Sequence, residues 1–392
     1  MPDQGTPVDS PRIARRGGIP PFIVMDVMRA ANERAAAGGD VLHLEVGQPG
    51  TGVPAPVLDA VRDAMTRDRL GYTDALGLEP LRRRIARHYG EVYDVDLDWR
   101  RVVVTAGASG AFILGFLAAF DAGHRVALAS PGYPAYRNIL TALGVTPVAI
   151  PADAASNFQP TVDHLDQAAA AAPLAGLIVA SPANPTGTML RRQQLDDLAG
   201  WCAGHGAWLV SDEIYHGITY AGAAETLLAL TGDAIVVNSF SKYYAMTGWR
   251  LGWMVVPERL LRPVECLAQN LFISPSAPAQ HAAIAAFDCR AVLDANVARY
   301  ARNRDVLLRA LPRAGLTRLA AAEGAFYVYA DIGALTDDSQ AFCRRLLAET
   351  GVAVTPGIDF DPARGHRFIR LSFAGPESEI VEAARRLVAW LG

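Results

Sequence analysis

Ser239-Phe-Ser-Lys-Tyr-Tyr-Ala-Met-Thr-Gly-Trp-Arg250 follows an apolar run and brings hydroxyl groups, an amine and a guanidinium close together in the chain. Ser239 and Ser241 precede Lys242, and Arg250 lies eight positions beyond it. An arginine among hydroxyl groups suits a phosphate monoester, because a guanidinium binds phosphate through two parallel hydrogen bonds. A primary amine that has lost its proton attacks a carbonyl carbon. The segment therefore predicts a site for an aldehyde that also carries a phosphate.

Lys242 is the single lysine of the chain, and the other 35 of its 36 basic residues are arginines. On a protein surface, arginine and lysine often substitute for each other as solvated charges. Arginine cannot replace an amine that must lose its proton and attack a carbonyl. Position alone would also fit a leftover surface lysine in an arginine-rich sequence. The neighbouring hydroxyls and Arg250 favour the chemical role.

Composition narrows the possible classes of protein. A chain of 392 residues exceeds what one hydrophobic core usually serves, so two domains are expected. The net charge of -4 and the pI near 6.1 give no basis for binding nucleic acid or an anionic membrane. No apolar run approaches the ~20 residues of a membrane span, and the first residues lack the apolar segment of a signal peptide. Four widely spaced cysteines predict reduced thiols in a cytoplasmic protein, with no metal site: Cys202, Cys266, Cys289 and Cys343.

From about residue 100, short apolar runs alternate with helical patterns. Continuous apolar strands separated by helices imply a parallel sheet covered on both faces, with functional loops at the carboxyl ends of its strands. The sequence thus predicts an α/β fold with a mostly parallel seven-stranded sheet flanked by helices. The predicted strands are Val102–Ala106, Arg125–Ala129, Val145–Ile150, Gly176–Ala180, Ala207–Ser211, Ala234–Ser239 and Leu251–Val256. One predicted helix starts at Ser109, and three others span Tyr133–Leu143, Val162–Ala172 and Gln193–His205.

Beyond Pro257 the pattern changes to that of a smaller α+β domain. Its predicted elements are a long helix at Ala279–Ala314, strands at Phe326–Ala330, Val352–Thr355 and Phe368–Ser372, and helices at Gln340–Thr350 and Glu377–Leu391. We predict an N-terminal arm, residues 1–50, that packs with this domain. The large domain is predicted at residues 51–285 and the small domain at residues 286–392.

Four further motifs follow predicted strands. Ser211-Asp-Glu-Ile-Tyr215 places a carboxylate at a strand end, although Asp-Glu alone equally fits a helix cap, and we expect Glu213 and His216 to have structural roles. Asn-Pro and Thr-Gly in Ser181–Gly187 are turn formers. The small residues of Thr105–Gly110 let backbone N–H groups approach an anion at a helix N-terminus. Ser130-Pro-Gly-Tyr-Pro134 places an aromatic ring just beyond a strand.

In this order, the motifs resemble those of the class I/II aminotransferases, which are fold type I enzymes dependent on pyridoxal 5'-phosphate (PLP). The resemblance extends from about Glu45 to Ser372 and includes Gly248–Trp253. It implies that Lys242 is the Schiff-base lysine and that Asp212 keeps the pyridine nitrogen of PLP protonated. Further cofactor-binding roles follow from it: Tyr215 and Asn184 at the phenolic oxygen, Tyr133 stacked on the ring, and Ala108, Ser109, Ser239, Ser241 and Arg250 at the phosphate.

The resemblance also implies contacts with the substrate and with a second subunit. Arg370 lies in the apolar strand pattern Phe368–Ser372, where an arginine is rare without a partner. The resemblance assigns it to the substrate α-carboxylate, together with Gly47 and Asn184; an ordinary structural ion pair is the alternative. Tyr72 would reach the phosphate of the partner subunit, which predicts a homodimer with shared active sites.

The expected reaction is the transfer of an amino group from an amino acid to a 2-oxo acid. Three other PLP reactions remain possible on this fold: β-elimination by a C–S lyase, decarboxylation and cyclopropane formation. Two non-enzyme alternatives are a transcription regulator with an aminotransferase-like domain and a catalytically silent homologue. The first needs a basic helix-turn-helix segment for which the sequence has no room. The combination of Lys242, Asp212 and Arg370 argues against the second.

The substrate is less well defined by the sequence. A second carboxylate on the donor, as in aspartate, needs another cation in the pocket. Some aspartate aminotransferases that the chain resembles have a lysine where this chain has Ser109. We therefore expect an apolar or aromatic donor, with 2-oxoglutarate as the acceptor common in the family. The apolar stretches Ile19–Ile23 and Asn270–Ser274 are candidates for the side-chain pocket, and they equally fit a subunit interface or the core.

Overall fold

The computed structural model describes residues 13–392, so the first twelve residues of the predicted arm lie outside the described part. The α-helices of residues 13–392 are α1 Ile23–Ala36, α2 Ala55–Arg67, α3 Glu79–Tyr93, α4 Gly107–Ala119, α5 Pro134–Ala142, α6 Val162–Ala171, α7 Arg192–Gly204, α8 Glu258–Leu271, α9 Ala277–Ala286, α10 Arg290–Arg313, α11 Ser339–Thr350 and α12 Glu377–Leu391. The strands are β1 Leu42–His43, β2 Val102–Thr105, β3 Arg125–Ser130, β4 Thr146–Pro151, β5 Gly176–Ala180, β6 Trp208–Asp212, β7 Ile235–Ser239, β8 Gly252–Val255, β9 Tyr327–Asp331, β10 Val352–Ala353, β11 Thr355–Pro356 and β12 Phe368–Ser372.

The central sheet has seven strands in the order β2-β8-β7-β6-β5-β3-β4. Strand β8 runs in the direction opposite to the other six strands, which are parallel to one another. The predicted mostly parallel seven-stranded sheet is therefore confirmed. Strands β2, β7 and β8 are buried along their whole length and are mostly apolar, because helices cover both faces of the sheet. One face packs on a cluster that includes Phe240 and Trp253, and the other on a cluster that includes Phe112 and Phe116.

Two smaller sheets form the rest of the fold. One has the order β11-β12-β9, and the other pairs β1 with β10 in parallel. Their core contains Phe326 and Leu371 and also Leu42 and Leu44 from the N-terminal segment. This segment thus packs with C-terminal residues, and the main-chain N–H groups at the start of α1 donate to the carboxylate of Asp359.

Two predicted elements of this region are wrong in their extent. The predicted helix Ala279–Ala314 is two helices, α9 and α10, because the chain turns where the ring of Phe287 packs into the core beside Phe240 and Tyr244. The predicted strand Val352–Thr355 is two short strands, because β10 pairs with β1 whereas β11 pairs with β12.

None of the helices within residues 13–392 has the length and apolar character needed to cross a bilayer.

Candidate active site

The candidate residues of the large sheet meet at one edge. Asp212 is the last residue of β6, and Lys242 follows the end of β7 by three positions. Asn184 and Tyr133 follow the ends of β5 and β3. Parallel strands place their carboxyl ends together, and an open α/β sheet binds its ligands outside those ends. Since β8 runs the other way, Arg250 precedes its start and reaches the same edge.

The beginning of α4 and the guanidinium of Arg250 form a cradle for an anion. Gly107 has a positive φ of +68°, and a Cβ atom there would lie 2.6 Å from a terminal nitrogen of Arg250. Glycine thus allows the guanidinium to approach the helix N-terminus, where Ala108 and Ser109 follow. The first N–H groups of a helix have no partner within it and attract negative charge. This geometry suits an anion, and the phosphate stays a prediction.

Two serines order the loop beside this cradle. The hydroxyl of Ser239 donates to the Ser241 hydroxyl at 2.9 Å and approaches the carbonyl oxygen of Leu251 at 3.0 Å. The N–H group of Ser241 donates to the Ser239 hydroxyl at 3.1 Å. Both side chains are buried. These bonds fix the turn that carries Lys242 out of β7.

The amine of Lys242 is directed towards the N-terminal segment. Its Nζ atom donates to the carbonyl oxygen of Gly47 at 2.6 Å. Burial, with the positive charges of Arg370 and Arg250, lowers the pKa of Lys242 from 10.5 to about 8, although Asp212 partly opposes this shift. A substantial fraction of the amine is therefore neutral near physiological pH, as a nucleophile or base requires.

Loading of cofactor-free enzyme with PLP is expected to speed up as the pH rises, with a midpoint near 8. The neutral amine reacts, and a lysine with a lowered pKa loses its proton at lower pH than a free lysine. Stopped-flow absorbance at fixed PLP concentration measures the rate. In Arg370→Gln the midpoint should move upward, because one repelling charge is gone. A wild-type midpoint near 10.5 would contradict the lowered pKa.

Asp212 is a buried carboxylate that is well supplied with donors. The hydroxyl of Tyr136 donates to one of its oxygens, and the N–H group of Ile214 donates to the other at 3.0 Å. Burial raises the pKa of Asp212 to about 6, while these donors and Lys242 oppose the shift. The carboxylate is thus ionised at neutral pH and suits a positively charged partner. Tyr136 was not predicted; it lies one helical turn beyond Tyr133, a spacing that puts both on one side of α5.

The aromatic candidates lie around Asp212. The Tyr133 ring meets Tyr136 edge to face at 5.2 Å and Phe22 at 5.8 Å. Burial raises the pKa of Tyr133 to about 12, with Asp212 as the next contribution. Tyr215 is buried, and its hydroxyl lies 2.6 Å from the hydroxyl of Tyr327, which was not predicted.

Arg370 lies on β12 and is 2% exposed. Its terminal nitrogens donate to Asn184 Oδ1 at 2.8 Å, to the Glu45 carbonyl oxygen and, at 3.3 Å, to the hydroxyl of Thr355. These acceptors are all uncharged, and Nε has no hydrogen-bond partner among residues 13–392. A buried guanidinium without an anionic partner is costly. The arrangement therefore favours an anionic ligand over the structural ion pair that the sequence left open.

Glu213 and His216 have the contacts of structural residues. The Glu213 carboxylate accepts hydrogen bonds from the Thr226 hydroxyl and from the N–H group of Leu227 at 2.9 Å. His216 lies 3.0 Å from the carbonyl oxygen of Ser181 and 2.8 Å from the hydroxyl of Tyr93. Burial raises the pKa of Glu213 to about 8 and lowers that of His216 to about 3. Both side chains are therefore uncharged at neutral pH and connect loops.

The remaining candidates lie at different distances from the site. In the first apolar stretch, Ile19–Ile23, the Phe22 ring contacts Tyr133. In the second, Asn270–Ser274, the Phe272 ring packs near the start of α4. The Ser274 hydroxyl accepts a hydrogen bond from the Thr73 N–H group at 3.3 Å. Tyr72 is 85% exposed, so the described subunit does not bury its ring.

The site residues fit PLP. Arg250 and the start of α4 offer a phosphate cradle that a Cβ at Gly107 would obstruct. Lys242 offers an amine of lowered pKa, Asp212 an ionised carboxylate, and Arg370 a buried guanidinium with an unpaired Nε. A phosphate-bearing aldehyde with a basic ring nitrogen matches this donor set, and a substrate carboxylate matches Arg370.

Comparison with known proteins shows the family to which the chain belongs. The family model for aminotransferase class I and II matches residues 39–387. A valine–pyruvate aminotransferase of Mycobacterium tuberculosis is 53% identical over 97% of this chain and 98% of its own length. An arginine–pyruvate transaminase of Pseudomonas aeruginosa is 33% identical over 92% of this chain and 93% of its own. The crystal structure of an aminotransferase from Mycobacterium tuberculosis superposes with a TM-score of 0.95 at 52% identity, covering 97% of this chain and 99% of that one.

Proposed function

Because the chain belongs to the class I and II aminotransferases, which depend on PLP, we propose that it transfers the amino group of an apolar L-amino acid such as valine to pyruvate. The transfer reaction is that of the family. The choice of amino donor and 2-oxo acid acceptor rests on the number of positively charged side chains that act on the amine of Lys242.

Two arginines of the described subunit repel the charge of Lys242, and both have a proposed partner. Arg250 faces the start of α4 and is assigned to the phosphate, and Arg370 is assigned to the α-carboxylate. A second substrate carboxylate would need a further cation. Ser109 stands at the helix position where some aspartate aminotransferases have a lysine. Within residues 13–392, Arg370 and Arg250 are the two cations whose charges lower the pKa of Lys242, and this observation carries the proposal.

The same argument applies to the acceptor. The sequence suggested 2-oxoglutarate, which has a second carboxylate, but pyruvate has only the one that Arg370 would bind. The relative that is 53% identical is named for valine and pyruvate, and the arginine-specific relative is also named for pyruvate. We therefore propose pyruvate in place of 2-oxoglutarate. The apolar side chain of the donor would lie towards Phe22, beside Tyr133.

PLP, when bound, supplies an aldehyde that combines with amines and a ring that accepts electrons. Arg250, Ser239, Ser241 and the N–H groups of Ala108 and Ser109 would bind its phosphate. Asp212 would stabilise a positive charge on the ring nitrogen, and Tyr133 would cover the ring face. Asn184 and Tyr215 would donate to the phenolic oxygen.

The substrate is oriented by two groups from different parts of the fold. Arg370 would bind the α-carboxylate, and the Gly47 main chain would close over it. Lys242, in its neutral form, would take the proton from Cα of the donor. A substrate fixed at its carboxylate presents this proton to one base, which contributes typically ~10²–10⁴-fold to the rate.

We also propose a homodimer in the cytoplasm. Tyr72 lies in the loop between α2 and α3 and is 85% exposed, so its ring is accessible to a second subunit. Tyr72 would contact the phosphate site of the partner subunit, so that each active site uses both chains.

The test combines the absorbance of the PLP-loaded enzyme with product analysis. L-valine alone is expected to convert the visible cofactor band into that of pyridoxamine phosphate, and pyruvate is expected to restore it with formation of alanine. L-aspartate should be at least ~10²-fold poorer in kcat/KM, because its side-chain carboxylate is buried unpaired. L-asparagine, similar in size but uncharged, separates charge from size.

The outcomes distinguish the competing reactions. Ammonia with pyruvate from a donor carrying a β-leaving group, and no pyridoxamine phosphate, would support the C–S lyase reaction. Release of carbon dioxide would support decarboxylation. Aspartate and 2-oxoglutarate reacting faster than valine and pyruvate would overturn the proposed substrates while leaving the aminotransferase reaction intact.

A further inference from the structure

Tyr327 connects three of the candidate residues. Its hydroxyl lies 2.6 Å from the hydroxyl of Tyr215. Its ring lies under the guanidinium of Arg370, with the central carbon 4.3 Å from the ring centroid. A Cβ atom on Gly47 would overlap its hydroxyl, so the Tyr327 side chain rests directly on the main chain that accepts the Lys242 hydrogen bond.

The hydroxyl pair has a defined hydrogen-bonding capacity. Each tyrosine hydroxyl has one proton to donate and can also accept. If Tyr215 donates to the cofactor oxygen, its oxygen remains free to accept, and Tyr327 is within reach to donate to it. A hydroxyl that accepts a hydrogen bond becomes a stronger donor, because linked hydrogen bonds polarise one another.

The ring of Tyr327 has a separate effect on Arg370. In the β9–β12 ladder Tyr327 is opposite Ser372, which makes it the diagonal neighbour of Arg370. Phe360 lies on the guanidinium as well, with its centroid 4.7 Å away. Two rings limit the movement of the guanidinium while its terminal nitrogens donate to uncharged oxygens.

We propose that Tyr327 is a positioning residue with two separable parts: its hydroxyl donates to Tyr215 and strengthens the Tyr215 bond to the cofactor oxygen, and its ring orients Arg370 for the substrate carboxylate. This inference rests on the roles proposed above for Tyr215 and Arg370. It adds a residue of the small sheet that acts on both the cofactor and the substrate.

Tyr327→Phe and Tyr327→Leu separate the two parts. Donation by Tyr215 stabilises negative charge on the cofactor oxygen and lowers the pKa that the visible absorbance of the bound cofactor reports. In Tyr327→Phe this pKa should rise, by on the order of half a unit, in the same direction as in Tyr215→Phe but by less. Affinity for a non-reacting monocarboxylate should stay unchanged. Tyr327→Leu should weaken that affinity as well, about tenfold.

Tyr329→Phe is the matched control. Tyr329 lies two positions along β9, is equally buried, and its hydroxyl has no hydrogen-bond partner among residues 13–392. Removing that hydroxyl should leave both readouts unchanged. A variant with Tyr215→Phe and Tyr327→Phe together should give the pKa of Tyr215→Phe alone, because the Tyr327 hydroxyl acts through Tyr215.

The outcomes separate this inference from the assignments on which it depends. A shift in Tyr215→Phe with none in Tyr327→Phe would overturn the hydroxyl part alone. A lowered pKa in Tyr327→Phe would overturn the direction of donation. No shift in either variant would overturn the role of Tyr215 and with it that of the Tyr327 hydroxyl. Unchanged carboxylate affinity in Tyr327→Leu would overturn the ring part.

Discussion

Lys242→Arg is expected to lower the transamination rate by at least ~10³-fold and to replace the Schiff-base absorbance of bound PLP with that of the free aldehyde. Arginine keeps the positive charge and a long side chain, but its guanidinium stays protonated and cannot act as an amine nucleophile or as a base. Lys242 would do both, because burial and two arginines lower its pKa to about 8. The substitution therefore removes the chemistry and retains the charge.

Because Lys242 is the single lysine of the chain, a labelling experiment can serve as an unambiguous control. Borohydride reduction of the PLP-loaded enzyme should attach the cofactor at Lys242 in the wild type and at no side chain in Lys242→Arg, since no other lysine exists. In Lys242→Ala, a small primary amine added to the solution should restore part of the activity, because it can enter the space of the side chain and supply the missing base. Normal activity in Lys242→Arg, or a label elsewhere in the wild type, would refute the assignment.

The large sheet could be predicted closely from the sequence for a physical reason. Strands buried on both faces are continuous apolar runs, and all seven lie within a residue or two of the predicted positions, for example Gly176–Ala180. The edge that carries the site followed from the same pattern, because the carboxyl ends of parallel strands coincide. The sequence pattern therefore predicts that Asp212 and Lys242 lie close together.

The residues that were missed depend on contacts between distant elements. Tyr136 meets Asp212 only because β5 lies between β3 and β6 in the sheet, so that α5 faces the end of β6. Tyr327 and Tyr329 lie on the same face of β9, but the pattern gives no sign that, within residues 13–392, only the Tyr327 hydroxyl has a hydrogen-bond partner. Periodicity identifies the buried face of an element and leaves open what covers it.

The helical periodicity of the sequence also gave a wrong prediction where one continuous segment packs into two hydrophobic cores. The helical pattern of Ala279–Ala314 is continuous in sequence, yet α9 packs against α2 and α10 against α12. Helix α9 and the first turn of α10 pack in the core of the large sheet together with Phe287, whereas the rest of α10 packs in the other core. A helical segment that packs in both cores must turn near Phe287. The position of this turn depends on how the two cores lie relative to each other, and the sequence pattern carries no information about that.

Arg370→Leu is expected to lower kcat/KM for the amino-acid donor by about 10³-fold, the loss typical of a buried charge left without its partner. The guanidinium is 2% exposed and its acceptors are Asn184, the Glu45 carbonyl and Thr355, all uncharged. Its charge is thus available for a carboxylate. Arg370→Lys keeps the charge but loses the two parallel hydrogen bonds, so its loss should be intermediate.

Binding of PLP serves as the control for Arg370→Leu. PLP absorbance and binding should remain in Arg370→Leu, because Arg250 and the start of α4, and not Arg370, are proposed to bind the phosphate. A substrate amine without a carboxylate should react equally poorly with the wild type and the variant, since it does not use Arg370. If Arg370→Leu instead kept a normal KM for valine and only lowered the melting temperature, the arginine would be structural. Its neutral contacts with Asn184 and Glu45 would then be its whole function.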